Sequence, residues 1–406
     1  MRIGFGRKPF SRTWAAWWAA RCILVLEVAL VVTGSLQGQD SGLTFRRAQN
    51  LRHGINLSGW YAQVFDPKGY TKEHFDSYDT AQDMALMKQM GFDHVRFTLN
   101  CAPMFRRGQA DRIPADYLAM VDSAVKMILD HDLAVIIDIH PESDFKAQLA
   151  GSDGFVEQFE DFWRALAKHY ATLDPDKVFF EVLNEPEFRD RYRWAGVQAR
   201  LVRAIREGAP NHTIIVAGAN WSSITELLFM EPLRDANLIY NFHFYDPMMF
   251  THQGATWTAN VQHYLSKVPY PSTPENVQGV ATQAPDLVNQ QAILEYGLDQ
   301  WNAQRVDGEI AVAAAWGKRW HVPLTCNEFG VYRETAAPED RAAWIHDVRT
   351  ALEKYGIGWT MWDYAGGFGV VVRNNGATTV DHATVKALGL VDKTPGSKRD
   401  SSLRSE

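Results

Sequence analysis

Two glutamates stand where short apolar runs break off, and together they could work on opposite sides of one bond. The run Lys177-Val178-Phe179-Phe180-Glu181-Val182-Leu183 leads into Asn184-Glu185-Pro186-Glu187. Proline cannot donate to a sheet ladder, so Pro186 ends the strand and leaves Glu185 at its rim. Val322-Pro323-Leu324-Thr325-Cys326-Asn327 leads in the same way into Glu328-Phe329-Gly330. One carboxyl that gives and takes a proton, beside one that attacks carbon, is the pair that cleavage of a glycosidic bond requires. Either glutamate alone also reads as a solvated rim residue.

The elements that must position them alternate in type. Strands are predicted at His53–Trp60, His94–Leu99, Leu133–His140, Val178–Asn184, Thr213–Ala217, Leu238–Tyr245, Val322–Asn327 and Gly358–Asp363. Helices are predicted between them, at Thr80–Met90, Ala115–Asp130, Phe155–Tyr170, Trp194–Glu207, Ile224–Leu228, Pro285–Trp320, Pro338–Lys354 and near His382–Leu388. Eight such pairs, with strands apolar almost throughout, predict a parallel α/β barrel covered on its outer face. A doubly wound open sheet is the runner-up, disfavoured because no Gly-rich phosphate loop opens a helix. The longest irregular stretch, Asp246 to Pro285, holds Trp257, Tyr264 and Tyr270, and a loop of that length is expected to be functional.

In such a barrel the chemistry sits at the carboxyl ends of the strands. Those ends carry Arg96 within Val95-Arg96-Phe97-Thr98-Leu99-Asn100, then Asp138-Ile139-His140, Asn184-Glu185 and Asn220-Trp221. His243 and Tyr245 follow, two apart and so on one face, then Glu328 and Trp362-Asp363-Tyr364. An arginine inside an apolar strand is costly unless paired, which predicts a buried carboxylate beside Arg96. Taken singly, each has a structural explanation: a satisfied core histidine, a packed indole, an internal ion pair. Their gathering at one end of nearly every strand does not.

In chain order, HGINLSGW, HVRF, DIH, VLNEPE, GANW, NFHFY, CNEFG and TMWDY resemble glycoside hydrolase family five, over about Leu51 to Leu390. The resemblance implies a (β/α)8 TIM barrel with Glu185 as acid/base and Glu328 as nucleophile. Arg96, His140, Asn184, His243, Tyr245 and Trp362 would surround the sugar at the cleavage point. A nucleophile must be ionised, which Arg96 and Tyr245 would favour; an acid must start protonated, which burial near a second carboxylate would favour. The strand reading adds Asn220 at the rim and sets Trp60, Trp221 and Trp257 beside Trp362 as faces for sugar rings.

Composition bounds the partners. The 406 residues are 46% hydrophobic, enough for a large core, and Trp 14, Tyr 14 and Phe 21 leave aromatics to spare for a binding cleft. Arg2, Arg7, Lys8 and Arg12 precede an apolar run from Trp14 to Thr33, broken by Arg21 and Glu27. Residues 1–35 thus read as an export signal, with a retained membrane anchor as the alternative. Losing them removes five basic residues and one acid, shifting the net charge from −7 to −11. An acidic body argues against nucleic acid and suits a neutral polysaccharide. Cys101 and Cys326 then remain, expected as buried free thiols rather than a disulfide framework. No HExxH, CxxC or His-rich cluster supports a catalytic metal, and neither a cofactor nor an obligate protein partner is expected.

The chain is therefore expected to be an exported, single-domain retaining glycosidase spanning 50–390, with a frayed tail at 391–406. A β-linked glucan is the expected substrate and endo-β-1,4-glucanase the expected activity. The alternatives are a β-mannanase, a β-1,3-glucan hydrolase, a transglycosylase of the same family, or a non-catalytic carbohydrate-binding protein.

Overall fold

A computed structural model describes residues 42–391, apart from 259 and 375. The export signal read at 1–35 and nearly all of the tail lie outside the described residues. Eight parallel strands close on themselves in sequential order, which excludes the open sheet. They are β1 (His53–Tyr61), β2 (His94–Leu99), β3 (Ala134–Ile139), β4 (Val178–Glu181), β5 (Thr213–Ala217), β6 (Leu238–Phe244), β7 (Leu324–Phe329) and β8 (Gly358–Met361). A hairpin not anticipated from sequence follows, β9 (Val371–Asn374) with β10 (Ala377–Val380).

The expected helices are present, Ala115–Asp130 and Pro338–Lys354 to the residue, and two short helices that were not anticipated join them, Lys72–Ser77 and Ser143–Gly151. Thr80 caps the helix Ala81–Met90, giving its N–H and hydroxyl to Asp83, and Gly91 closes that helix at φ 102°, a conformation that favours glycine. The single helix expected over Pro285–Trp320 is two, Leu287–Leu298 and Ala303–Trp320. The break falls at Asn302, whose side chain accepts from Arg305 N–H and so starts a new helix. Among its described residues, the 246–285 stretch contains three one-turn helices and is otherwise irregular. Among the described residues, no helix is long and apolar enough to cross a membrane.

Two apolar clusters follow from strand alternation. Outward-facing residues such as Val135, Ile137, Phe180 and Val216 join the helices in the main core. Leu51, Ala134, Ile136, Phe179, Ile215 and Ile239 form a separate plug inside the barrel. Register pairs Ile136 with Phe179 and, two residues on, Asp138 with Glu181. The layer above the plug is therefore charged, and it forms the floor of the site.

Candidate active site

Arg96 is the centre of that floor, with no exposed area. Its Nε and Nη2 grip Glu181 at 2.9 and 2.8 Å, and Nη2 also reaches Asn184 Oδ1 at 2.9 Å and Asp138 at 3.1 Å. Nη1 donates to Glu328 Oε1 at 2.7 Å and to Asn56 Oδ1 at 3.0 Å. One guanidinium thus serves three carboxylates, which answers the expectation of a buried acid threefold. Asn327 Nδ2 at 2.6 Å and Asn241 Nδ2 at 3.3 Å complete the donors to Glu181. Burial raises the proton affinity of Glu181, and it lifts Asp138 to a pKa of about 6 despite Arg96.

Glu328 reaches this layer because β7 is irregular against β6. The register runs Phe242 with Cys326 and then His243 with Glu328, one residue out of step. A regular strand would send Asn327 and Glu328 to opposite faces, whereas here both reach inward, to Glu181 and to Arg96. The second oxygen of Glu328 accepts from Tyr245 Oη at 3.1 Å and lies 3.5 Å from His243 Nδ1.

Glu185 approaches from the other side. It follows Asn184, whose N–H still bonds Ile139 O, and its φ of 42° turns the chain before Pro186. A non-glycine residue held there costs about 1–3 kcal/mol, a strain characteristic of functional positions. Its Oε1 lies 2.9 Å from His243 Nδ1, and a quarter of its side chain is exposed. Desolvation raises the Glu185 pKa above the ordinary glutamate range, against the pull of Lys146. His243, pushed down to about 4 by burial, is neutral and bridges the two acids.

Glu185, His243 and Glu328 present one potential ligand atom each within 4.8 Å of one another. The positive charge beside this trio comes from the Arg96 guanidinium, 2.7 Å from Glu328 Oε1. As an acid pair, the two carboxyls stand closer than the roughly 6.5–9.5 Å at which an inverting route places its attacking water. Attack by one and proton transfer by the other is the chemistry that such proximity suits.

His140 closes the floor. Its Nδ1 faces Asp138 at 2.9 Å and its Nε2 faces Asn184 Nδ2 at 3.0 Å, so Asp138 fixes the tautomer that accepts from Asn184. Burial lowers its pKa to about 3. Trp362 lies parallel to the His140 ring, 5.6 Å between centroids at 19°, and is 9% exposed. Trp221 is 54% exposed beside Asn220, its backbone N–H donating to Pro186 O. Trp257, 60% exposed, stands edge-on to Tyr332 at 5.0 Å and 6.4 Å from Phe368, whose ring also meets Tyr245.

Trp60 is the correction. It is 1% exposed, packs on Tyr61 and Phe97, and donates its indole N–H to Phe75 O, so it has no face to offer a ligand. Sequence reading missed Glu181, Asn56, Asn241 and Asn327. Their signal was a polar residue inside an otherwise apolar strand, the same signal that Arg96 gave.

Residues 58–367 match the model of cellulase (glycosyl hydrolase family 5). Endoglucanase C of Acetivibrio thermocellus is 30% identical over 321 residues, 78% of this chain and 91% of that one. Among solved structures, Thermotoga maritima Cel5A in complex with cellobiose, in mutant form, is 25% identical with a TM-score of 0.70, covering 85% of this chain and 98% of that one. The cellulose synthase subunit Z of Clostridioides difficile, also 25% identical, gives 0.67, covering 83% and 99%.

Proposed function

The chain belongs to glycosyl hydrolase family 5 and is a cellulase-type glycoside hydrolase; we propose that it cuts β-1,4-linked glucan internally, by double displacement at Glu328 and Glu185. The observation that carries this reading is the pair of carboxyls within 4.8 Å, bridged by His243. A separation of about 5 Å suits a covalent, retaining route, whereas inverting enzymes need roughly 6.5–9.5 Å to admit water.

Each partner has a task. Glu328, held by Arg96 through Oε1, attacks the anomeric carbon with its other oxygen, beside Tyr245. Glu185 gives its proton to the departing glycosidic oxygen and then removes one from the water that cleaves the glycosyl ester. Asn184 spends one amide N–H on His140 and keeps the other for the sugar 2-hydroxyl, a bond that strengthens in the transition state. Trp362 supplies an apolar face to the ring being distorted. Asn220, Trp221 and Trp257 extend the cleft, which lies in one catalytic domain over 50–390. Export completes the proposal, supported by the basic head and apolar run before residue 35.

Hydrolysis of cellotetraose followed by proton NMR tests the route: the β-anomer is expected to appear first, and an initial α-anomer would overturn it. On soluble cellulose derivatives, viscosity is expected to fall well ahead of reducing-end release. Release of a single short product from the outset would remove the internal mode of cutting.

The aromatic faces separate by kinetics. Trp362→Ala is expected to lower kcat strongly, because its ring would hold the sugar that must distort. Trp257→Ala is expected to weaken longer oligosaccharides by roughly 1–3 kcal/mol, by analogy with burying an apolar side chain. If Trp257 serves only to pin its loop to Tyr332 and Phe368, thermal stability falls and chain-length preference stays unchanged.

A further inference from the structure

Lys146 is 5% exposed in the helix Ser143–Gly151, which follows β3 directly. A buried ammonium needs a partner, and Glu187 Oε1 supplies one at 3.1 Å while accepting also from Ser143 Oγ at 2.8 Å. Glu187 stands two residues past Glu185, across Pro186, so the ion pair is tied to the turn that presents Glu185. The charge of Lys146 is felt by the groups on either side of it: it acts on Glu185, on Asp138 and on His140.

We propose that Lys146, anchored by Glu187 and Ser143, is a positioning residue that sets how tightly Glu185 holds its proton, and hence the upper pH limit of turnover. This rests on the reading of Glu185 as acid/base. The groups facing Glu185 are Arg96 from β2, Asp138 from β3 and His140 just past it, Lys146 from the following helix, Glu187 from its own loop, His243 from β6 and Tyr245 just past it, and Glu328 from β7. Arg96 is committed to three carboxylates, and His140 and His243 are neutral. Lys146 is then the cation whose charge is least compensated on that side, with Glu187 as its single opposing partner in the pair. The signs oppose: an ammonium favours the ionised carboxylate, and a second carboxylate favours the protonated one.

Turnover needs protonated Glu185, so the alkaline limb of kcat/KM follows its proton affinity in the free enzyme. With an aryl β-cellobioside of poor leaving ability, Lys146→Met is expected to move that limb up by on the order of one pH unit. Glu187→Gln is expected to move it down, Lys146→Arg to leave it near that of the parent, and the double variant K146M/E187Q to return towards it. Limbs within about 0.2 unit of the parent in Glu187→Gln and in whichever Lys146 variants fold, or shifts of the same sign in both single variants, would overturn the proposal. A role confined to packing would change stability and leave the limb in place. The acid/base reading is decided separately, by the leaving-group dependence of Glu185→Ala. If that dependence appears while the limbs stay fixed, the role of Lys146 alone falls.

Discussion

Glu328→Gly is expected to reduce turnover by roughly 10⁴-fold or more, the scale of losing a covalent nucleophile, and azide is expected to restore it. The glycine leaves a gap beside Arg96 and Tyr245, two donors that had been directed at the carboxylate. A small anion fits that gap and attacks from the same face, so the product is a glycosyl azide of inverted configuration. Glu185→Ala behaves differently. It loses little on aryl glycosides whose leaving group departs without a proton, and much on those that need one. With azide it gives the retained product, because Glu328 still forms the glycosyl ester. Identical responses of the two variants to azide and to leaving group would refute the assignment.

Arg96→Met is expected to cost at least about 3–5 kcal/mol of stability, the range for removing one partner of a buried pair, along with most of the activity. Here the loss strands Asp138, Glu181 and Glu328 together, all nearly devoid of exposure. Burial already raises the pKa of Asp138 to about 6 and that of Glu181 above its usual range, with Arg96 opposing both. Without Arg96 these values rise further. Carboxyls whose folded pKa is raised contribute stability that is lost as pH rises through it, so the deficit should be largest near pH 8 and shrink towards pH 5. Urea unfolding at the two pH values measures this, and a variant as stable as the parent at pH 8 would disprove the ledger of charges.

The barrel was legible because each strand is a compact, mostly apolar run and the long helices carry their own periodicity. The meeting of Glu185 and Glu328 at one rim was legible because both follow strands whose carboxyl ends converge in such a fold. The irregular register of β7, which brings Asn327 and Glu328 to one side, has no sequence signature in NEFG, so the partners of Arg96 could be anticipated in kind but not named. Trp60 misled for a related reason. It follows Gly59 near the end of β1, and whether such an indole turns to the cleft or beneath it depends on packing against Phe75 and Phe97, which no local pattern encodes. The Pro285–Trp320 helix was over-extended because its break rests on one N-cap side chain. The β9–β10 hairpin is short and half exposed, too little apolar pattern to stand out.

The two cysteines of the barrel have a use that the enzyme never makes of them. Cys101 lies just past β2, Cys326 sits within β7 with its Sγ on Glu328 O, and neither has any exposed area. Thiol reagents reach them only when the barrel parts, so labelling kinetics at each position time the opening of two separate staves. Substrate that holds Glu328 in place should slow the second clock more than the first, which turns a pair of silent residues into an internal gauge of how binding tightens the wall behind the site.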